Sequence, residues 1–197
     1  MRKTIFVFCI LSMMLLGCMI SCNSNDAKKE TSGNATVSND SLIKRGAYLV
    51  SIMGCDDCHT PKKFGPNGPE LDMDRRLSGY RSDVPLPPID TNVIRKGWAM
   101  TNGELTGWVG PWGASFTANI TSDETGIGNW TIDQFKKAFQ QGKWKGMDGS
   151  RQLLPPMPWQ DFANVHEEDV QAIFAFLKST KPIKNIEPPI KLFSDLK

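Results

Sequence analysis

Two cysteines and a histidine stand together in the stretch Cys55-Asp56-Asp57-Cys58-His59, away from the other three cysteines of the chain. Two thiols three positions apart, followed at once by an imidazole, are the arrangement that covalent attachment of a c-type haem requires. Each thiol can add across one vinyl group of the porphyrin, and the adjacent histidine is held where its imidazole can bind iron. We therefore predict one haem c, attached through Cys55 and Cys58 and ligated by His59.

Three other uses of these residues fit the sequence less well. A thioredoxin-like redox pair requires a βαβ context, and no such pattern surrounds the motif. A zinc site requires two further ligands, and only His166 and carboxylates remain for that purpose. A structural disulfide would leave His59 without a role. The haem interpretation uses all three side chains.

A second axial ligand to the iron must come from a methionine or from the remaining histidine. The candidates are Met53, Met73, Met100, Met147, Met157 and His166. Three prolines stiffen the stretch 153–159 around Met157, because proline fixes a backbone angle and removes a donor. A stiff loop can hold a thioether against iron at little entropic cost, so we predict Met157 as the ligand. His166 lies just before a predicted helix, where capping or solvent exposure explains it. With both axial positions filled, electron transfer is favoured over substrate activation.

The first residues have the layout of a secretory signal. Arg2 and Lys3 precede a run of almost wholly apolar residues at 5–16, which is too short for a typical membrane-spanning helix. Cys18 then follows a small residue, and this arrangement resembles the lipobox of bacterial lipoproteins, in which the cysteine receives lipid. We predict lipidation at Cys18, with Cys22 as a weaker candidate. An ordinary signal peptide or an uncleaved anchor are the alternatives.

Composition and patterning divide the chain into four parts. Its 197 residues, 22% of them charged with a formal net charge of +2, suit one domain and show no basic cluster typical of a nucleic-acid binder. We predict a signal peptide at 1–22, cleaved before Cys18 or Cys22. A flexible polar tether at 23–40, a folded domain at 41–188 and a tail at 189–197 follow.

Three amphipathic helices are predicted in the domain. Apolar residues three and four positions apart mark Ser41–Met53, Thr131–Gln141 and Glu167–Ser179. The stretch from Thr60 to Trp130 is rich in glycine, proline and tryptophan, and no strand pairs stand out in it. The predicted fold class is therefore all-α, with a long loop-rich insertion between the haem motif and the methionine loop.

The chain resembles a class I cytochrome c domain, and more narrowly bacterial cytochromes c that are subunits or domains of membrane-bound dehydrogenases. The resemblance covers residues 43–188 and implies that the first and last helices cross closely, with Gly46 facing Phe174 or Leu177. Those subunits carry several haem motifs, whereas this sequence has one. The matching stretches are 45–49 (RGAYL), 117–121 (TANIT), 124–128 (ETGIG), 154–159 (LPPMPW) and 168–170 (EDV).

These observations predict a mono-haem electron carrier that is not an enzyme. We expect it to be exported, tethered by lipid to a bacterial membrane, located in the periplasm or at the cell surface, and to exchange electrons with redox proteins. A haem-bearing subunit of a larger membrane-associated dehydrogenase or oxidase is the alternative, and a sensing haem protein with a labile sixth ligand is a third. Asp56 and Asp57 would make the exposed haem edge acidic, offset by Lys62 and Lys63.

Overall fold

The computed structural model describes residues 38–196. The predicted signal peptide, Cys18, Cys22 and nearly all of the predicted tether lie outside the described residues. The helices are α1 (Asn39–Ile52), α2 (Cys55–His59), α3 (Thr91–Arg95), α4 (Ile132–Phe139), α5 (Trp159–Phe162) and α6 (Glu167–Ser179). Three 3₁₀ turns lie at Met73–Arg75, Trp144–Gly146 and Phe193–Asp195. None of the described helices is long and apolar enough to cross a membrane.

Two small antiparallel sheets lie in the stretch from Thr60 to Trp130, for which no strands are predicted. The strands are β1 (Lys62–Gly65), β2 (Gly68–Leu71), β3 (Met100–Thr101), β4 (Gly107–Gly110) and β5 (Gly113–Phe116). β1 pairs with β2, and β4 lies between β3 and β5. The prediction of an all-α fold is therefore wrong, because strands make up 13% of the described residues and helices only 36%.

Both hairpins turn on the same four-residue pattern, Gly-Pro-x-Gly. Gly65 pairs with Gly68 across the first turn, and Gly110 pairs with Gly113 across the second. The last glycine of each turn has a positive φ, 112° at Gly68 and 100° at Gly113, which a residue with a Cβ adopts only under strain. Short strands of two to four residues carry no long alternation, which is why hydrophobic periodicity did not reveal them.

The first and last helices cross at a glycine. A Cβ on Gly46 would lie 2.7 Å from the Phe176 Cβ and 2.6 Å from the Ala172 carbonyl carbon, so only glycine permits this approach. The expected partners were Phe174 or Leu177, and the structure places Ala172 and Phe176 there instead. At the same crossing, Arg45 donates two hydrogen bonds to Asp169, at 2.9 and 3.1 Å.

The predicted helices occur with small shifts at their ends. α1 begins two residues early, because the Ser38 hydroxyl accepts a hydrogen bond from the Ser41 amide. Thr131 caps α4 by accepting from the Gln134 amide, as its sequence indicates. α6 has the predicted bounds. The main apolar core joins these three helices, and its most buried members are Val50, Leu77, Ile127, Val170, Ala172, Ile173 and Leu177.

The last residues pack against the three-stranded sheet. Lys191 and Ala114 exchange backbone hydrogen bonds of 2.8 and 3.1 Å, and Leu196 is only 8% exposed. Leu196 completes a second apolar core with Ile94 and Val109. The sequence placed the end of the domain at 188, whereas in the structure 191–196 are part of the same packing.

A buried asparagine fastens this C-terminal segment to an inner loop. Asn185 Nδ2 donates to the carbonyls of Ser78 and Tyr80, both at 2.7 Å, and Asn185 Oδ1 accepts from the Ser82 amide at 3.1 Å. We predict that Asn185→Leu lowers the free energy of unfolding by about 2 kcal/mol, because the two carbonyls stay buried without donors. Urea unfolding measures the loss. The exposed Asn164→Leu is the control, and equal losses in the two variants would contradict the prediction.

Candidate functional site

A single large cavity of about 910 Å³ brings together the residues that the sequence selected. Cys55, Cys58, His59 and Met157 all line it. The site therefore draws one wall from α2 and another from a loop about a hundred residues later. Cys18, the predicted lipid site, lies outside the described residues.

The helix α2 presents both thiols to this cavity. Gly54 precedes it with a positive φ of 69°, and this turn separates α2 from α1. Cys55 and Cys58 are three residues apart, so they lie on one face of the helix, and neither forms a disulfide. Burial raises the pKa of the Cys55 thiol to about 12, and burial raises the pKa of Cys58 as well. A reactive redox cysteine has the opposite shift.

The ring of His59 is held by a backbone carbonyl. Its Nδ1–H donates to the Ala118 oxygen at 2.8 Å, because a carbonyl can only accept. Nε2 forms no hydrogen bond within residues 38–196 and is therefore the nitrogen left to bind a ligand. Burial lowers the pKa of His59, which favours the neutral imidazole that metals bind. A carbonyl that orients a ligating histidine in this way is a common support of metal sites.

The methionine loop is fixed from two sides. The Ser115 hydroxyl, on β5, donates to the Pro155 carbonyl at 2.6 Å, and the Met157 amide donates to the Leu154 carbonyl at 3.3 Å. Met157 also packs against the main apolar core. The stiffness predicted from the prolines is thus reinforced by a hydrogen bond from the three-stranded sheet, which sequence spacing did not indicate.

The other candidate ligands separate clearly by position. Met53 lines the cavity together with Met157, whereas Met73, Met100 and Met147 do not. His166 is exposed at the N-cap of α6, where its side chain makes no capping hydrogen bond, and it does not line the cavity.

Asp56 has a structural partner that the sequence did not reveal. It is only 9% exposed and receives two hydrogen bonds from Arg76, at 2.9 and 2.7 Å. Thr60 donates a third at 2.8 Å, and the guanidinium lies 5.4 Å from the centre of the Phe176 ring. Burial opposes ionisation, but the hydrogen bonds from Arg76 and Thr60 outweigh it and lower the pKa of Asp56.

The predicted acidic edge is therefore reduced to one residue. Asp57 is exposed, whereas Asp56 is paired inside the domain. Lys63 is bound to Asp72 and Asp74 rather than to the motif.

One section of the cavity wall is charged, and no pattern in the sequence predicts it. Lys145 and Arg151 both lie close to the Trp144 ring, with Nζ and Cζ at 5.0 and 5.2 Å from its centre. All three residues line the cavity, as does Glu187, whose pKa is raised by burial. The Lys145 and Arg151 positions are close in the chain, but nothing in the sequence spacing distinguished them from solvent-exposed cations.

Comparison with known proteins identifies the family. The chain is 39% identical over 148 residues to a nicotinate dehydrogenase subunit of Pseudomonas putida, covering 75% of this chain and 9% of that protein. It is 41% identical over 144 residues to the alcohol dehydrogenase (quinone) cytochrome c subunit of Gluconacetobacter polyoxogenes, covering 72% and 23%. It is 30% identical over 147 residues to the gluconate 2-dehydrogenase cytochrome c subunit of Pantoea cypripedii, covering 74% and 25%. This chain is a relative of the c-type cytochromes.

The cytochrome domain spans a quarter or less of the length of these relatives. No protein-family model matches it. The predicted resemblance to cytochrome c subunits of dehydrogenases is confirmed, and the names of the alcohol and gluconate dehydrogenase relatives agree with a cytochrome subunit rather than an enzyme.

The cavity of the cytochrome domain fits a haem c. Its volume lies in the range of pockets that hold cofactor-sized ligands. Its lining is mainly apolar and contains the donors that a c-type haem uses: two thiols, a neutral imidazole and a thioether. Cys55 and Cys58 would supply the covalent links, and His59 Nε2 and the Met157 sulfur would supply the axial ligands.

Proposed function

We propose that this chain is an exported, membrane-tethered, mono-haem c-type cytochrome that carries single electrons between redox proteins. The observation that carries the proposal is the single cavity lined by Cys55, Cys58, His59 and Met157. A bound haem c would supply an iron that alternates between the ferric and ferrous states. The chain holds one Cys-x-x-Cys-His motif, which supports a single haem.

The residues of the site favour electron transfer over chemistry on a substrate. The Ala118 carbonyl orients the His59 ring, and the Ser115 hydroxyl holds the loop that carries Met157, which supports these two residues as iron ligands. If both side chains bind the iron of a haem c, no coordination position would be left for oxygen or another substrate. A ligand set held by the fold would also keep the reorganisation that accompanies electron transfer small.

Export and tethering rest on the N-terminal sequence. Covalent haem attachment in bacteria takes place outside the cytoplasm, so the signal-like segment and the motif support each other. We propose lipidation at Cys18, with the polar residues 23–38 that precede α1 as a tether of roughly 22 Å root-mean-square span. The domain would then lie in the periplasm or at the cell surface, close to a membrane.

A second candidate function is a haem-bearing subunit of a larger dehydrogenase complex. The names of the relatives, which are subunits of nicotinate, alcohol and gluconate dehydrogenases, favour it. Co-purification from the native membrane with a catalytic chain at fixed stoichiometry would select this function. Recovery of the cytochrome without such a chain would select the free carrier.

The optical spectrum of the mature protein tests the proposal. Expressed with a haem-maturation system, the parent protein should carry haem that survives denaturing electrophoresis. Its reduced spectrum should be c-type, and the ferric protein should show the weak methionine–iron charge-transfer band. We expect Met157→Ala to lose this band and to bind carbon monoxide when reduced, because an axial position opens.

Met147→Ala is the matched control, since Met147 does not line the cavity and should keep the band. A parent protein without covalent haem would refute the proposal. A c-type parent whose band survives in Met157→Ala would refute the ligand assignment and redirect attention to Met53.

A further inference from the structure

A lysine side chain caps the carbonyl end of α2. A five-residue helix cannot satisfy its own last carbonyls, which must find other partners. The ammonium group of Lys62 folds back onto this end. Its Nζ donates to the carbonyls of Thr60 at 2.7 Å, Asp56 at 3.4 Å, and Asp57.

The charge on Lys62 is not paired with a carboxylate. Within residues 38–196 it takes part in none of the salt bridges, and its three acceptors are neutral carbonyls. Its neighbour Lys63 differs in this respect, because it lies 2.8 Å from Asp72 and 3.1 Å from Asp74. Two adjacent lysines thus carry the same charge in different settings, one directed into the haem motif and one neutralised on the surface.

The capped carbonyls belong to the segment that carries the ligands. Asp57 immediately precedes Cys58, and Thr60 immediately follows His59. Because Lys62 donates to both of these carbonyls, it restrains the backbone on both sides of Cys58 and His59. It also places a partly buried positive charge against the backbone of the haem motif, outside the residues that line the cavity, where it is screened less than a charge in open water.

We propose that Lys62 is a positioning residue of the redox site, which fixes the backbone of the haem motif and favours the reduced state through its charge. This inference rests on the proposed function. Reduction adds one electron from an external one-electron donor and no proton, so the net charge at the site falls by one. A fixed positive charge nearby stabilises the state with the extra electron.

Potentiometric titration of the haem-loaded protein tests the proposal on three variants. In Lys62→Gln the ferric-to-ferrous ratio at a fixed electrode potential should rise about tenfold, a drop of about 59 mV for one electron. In Lys63→Gln, which removes the same formal charge one residue away, the ratio should change less than about twofold, because that charge is already paired. Lys62→Arg should restore the parental potential.

The outcomes separate the two proposals. A parent protein without covalent haem overturns the proposed function together with this inference. A loaded parent with the same potential in Lys62→Gln overturns the inference alone, as does an equal drop in Lys63→Gln. If Lys62→Gln does not accumulate in loaded form, Lys62→Arg carries the test. If Lys62→Arg carries haem and keeps the parental potential, the role of the charge is supported. If its ferric-to-ferrous ratio at the same electrode potential rises about tenfold, that role is contradicted.

Discussion

Gly46→Ala is expected to lower the free energy of unfolding by about 3 kcal/mol. In the interior of a helix the same change normally stabilises by about 1 kcal/mol, because alanine is the better helix former. The added Cβ would meet backbone atoms of Ala172 and the Cβ of Phe176, neither of which can rotate away. The two helices would have to separate, and the sign of the effect would be reversed. Denaturant unfolding of the haem-loaded protein measures it.

Ser51→Ala provides the control, since Ser51 is exposed on the same helix. Its unfolding free energy should stay equal or rise slightly. A stabilised Gly46→Ala protein would show that the crossing of α1 and α6 tolerates a side chain, and the close approach described above would be wrong.

Arg76→Leu should cost about 3 kcal/mol at neutral pH, the lower end of what breaking a buried ion pair removes. The variant leaves the Asp56 carboxylate nine-tenths buried with only the Thr60 hydroxyl to donate to it. The loss is expected as a lower midpoint of urea unfolding at unchanged slope.

Acid should narrow the difference between parent and variant. In the parent the pKa of Asp56 is lowered, so its stabilisation is present above the pKa of an unfolded aspartate and is lost as pH falls through the folded value. In the variant only the hydrogen bond from Thr60 opposes burial, which raises the pKa of Asp56, so protonation relieves the unpaired charge as pH falls. The difference in unfolding free energy between the parent and the Arg76→Leu protein should therefore be smaller near pH 4 than at pH 7. An undiminished gap would assign the loss to the contact of Arg76 with Phe176.

Arg45→Leu is a closely matched comparison. Arg45 also donates twice to one aspartate and also lies over an aromatic ring, that of Tyr48, but its side chain is about half exposed. Solvent screens such a pair, and a small loss is expected. Equal losses in the two arginine variants would contradict a special role for burial at Asp56.

The helices were predictable from local signals, and the sheets were not. α6 could be found because an apolar stripe, an acidic first turn and a following proline agree on its ends. α1 was harder to place, since Ser38, Asp40 and Ser41 are all acceptable caps and only the folded chain selects Ser38. The strands of the hairpins show no alternation of apolar and polar residues. Their repeated Gly-Pro-x-Gly stretches are nevertheless typical of turns and could have indicated the hairpins.

The ligand residues of the site were predictable where they are adjacent in the sequence or lie in a loop stiffened by proline. Spacing selected Cys55, Cys58 and His59, the stiffness of the proline-rich loop selected Met157, and all four residues line the cavity. The supports of those residues were not predictable. Ala118 acts through a backbone carbonyl, for which any residue type would serve, and Arg76 reaches Asp56 across a separation that no periodicity encodes.

The crossing of α1 with α6 affects the order in which the domain folds. Arg45 and Asp169, which pair beside Gly46, are 124 residues apart. Contacts of such high contact order form slowly, because the entropy of closing the intervening loop is lost before they contribute. The first helix lacks its main packing partner until the last has been synthesised. We expect the segment with Cys55 and Cys58 to stay accessible through most of that search, when an attachment enzyme could reach both thiols.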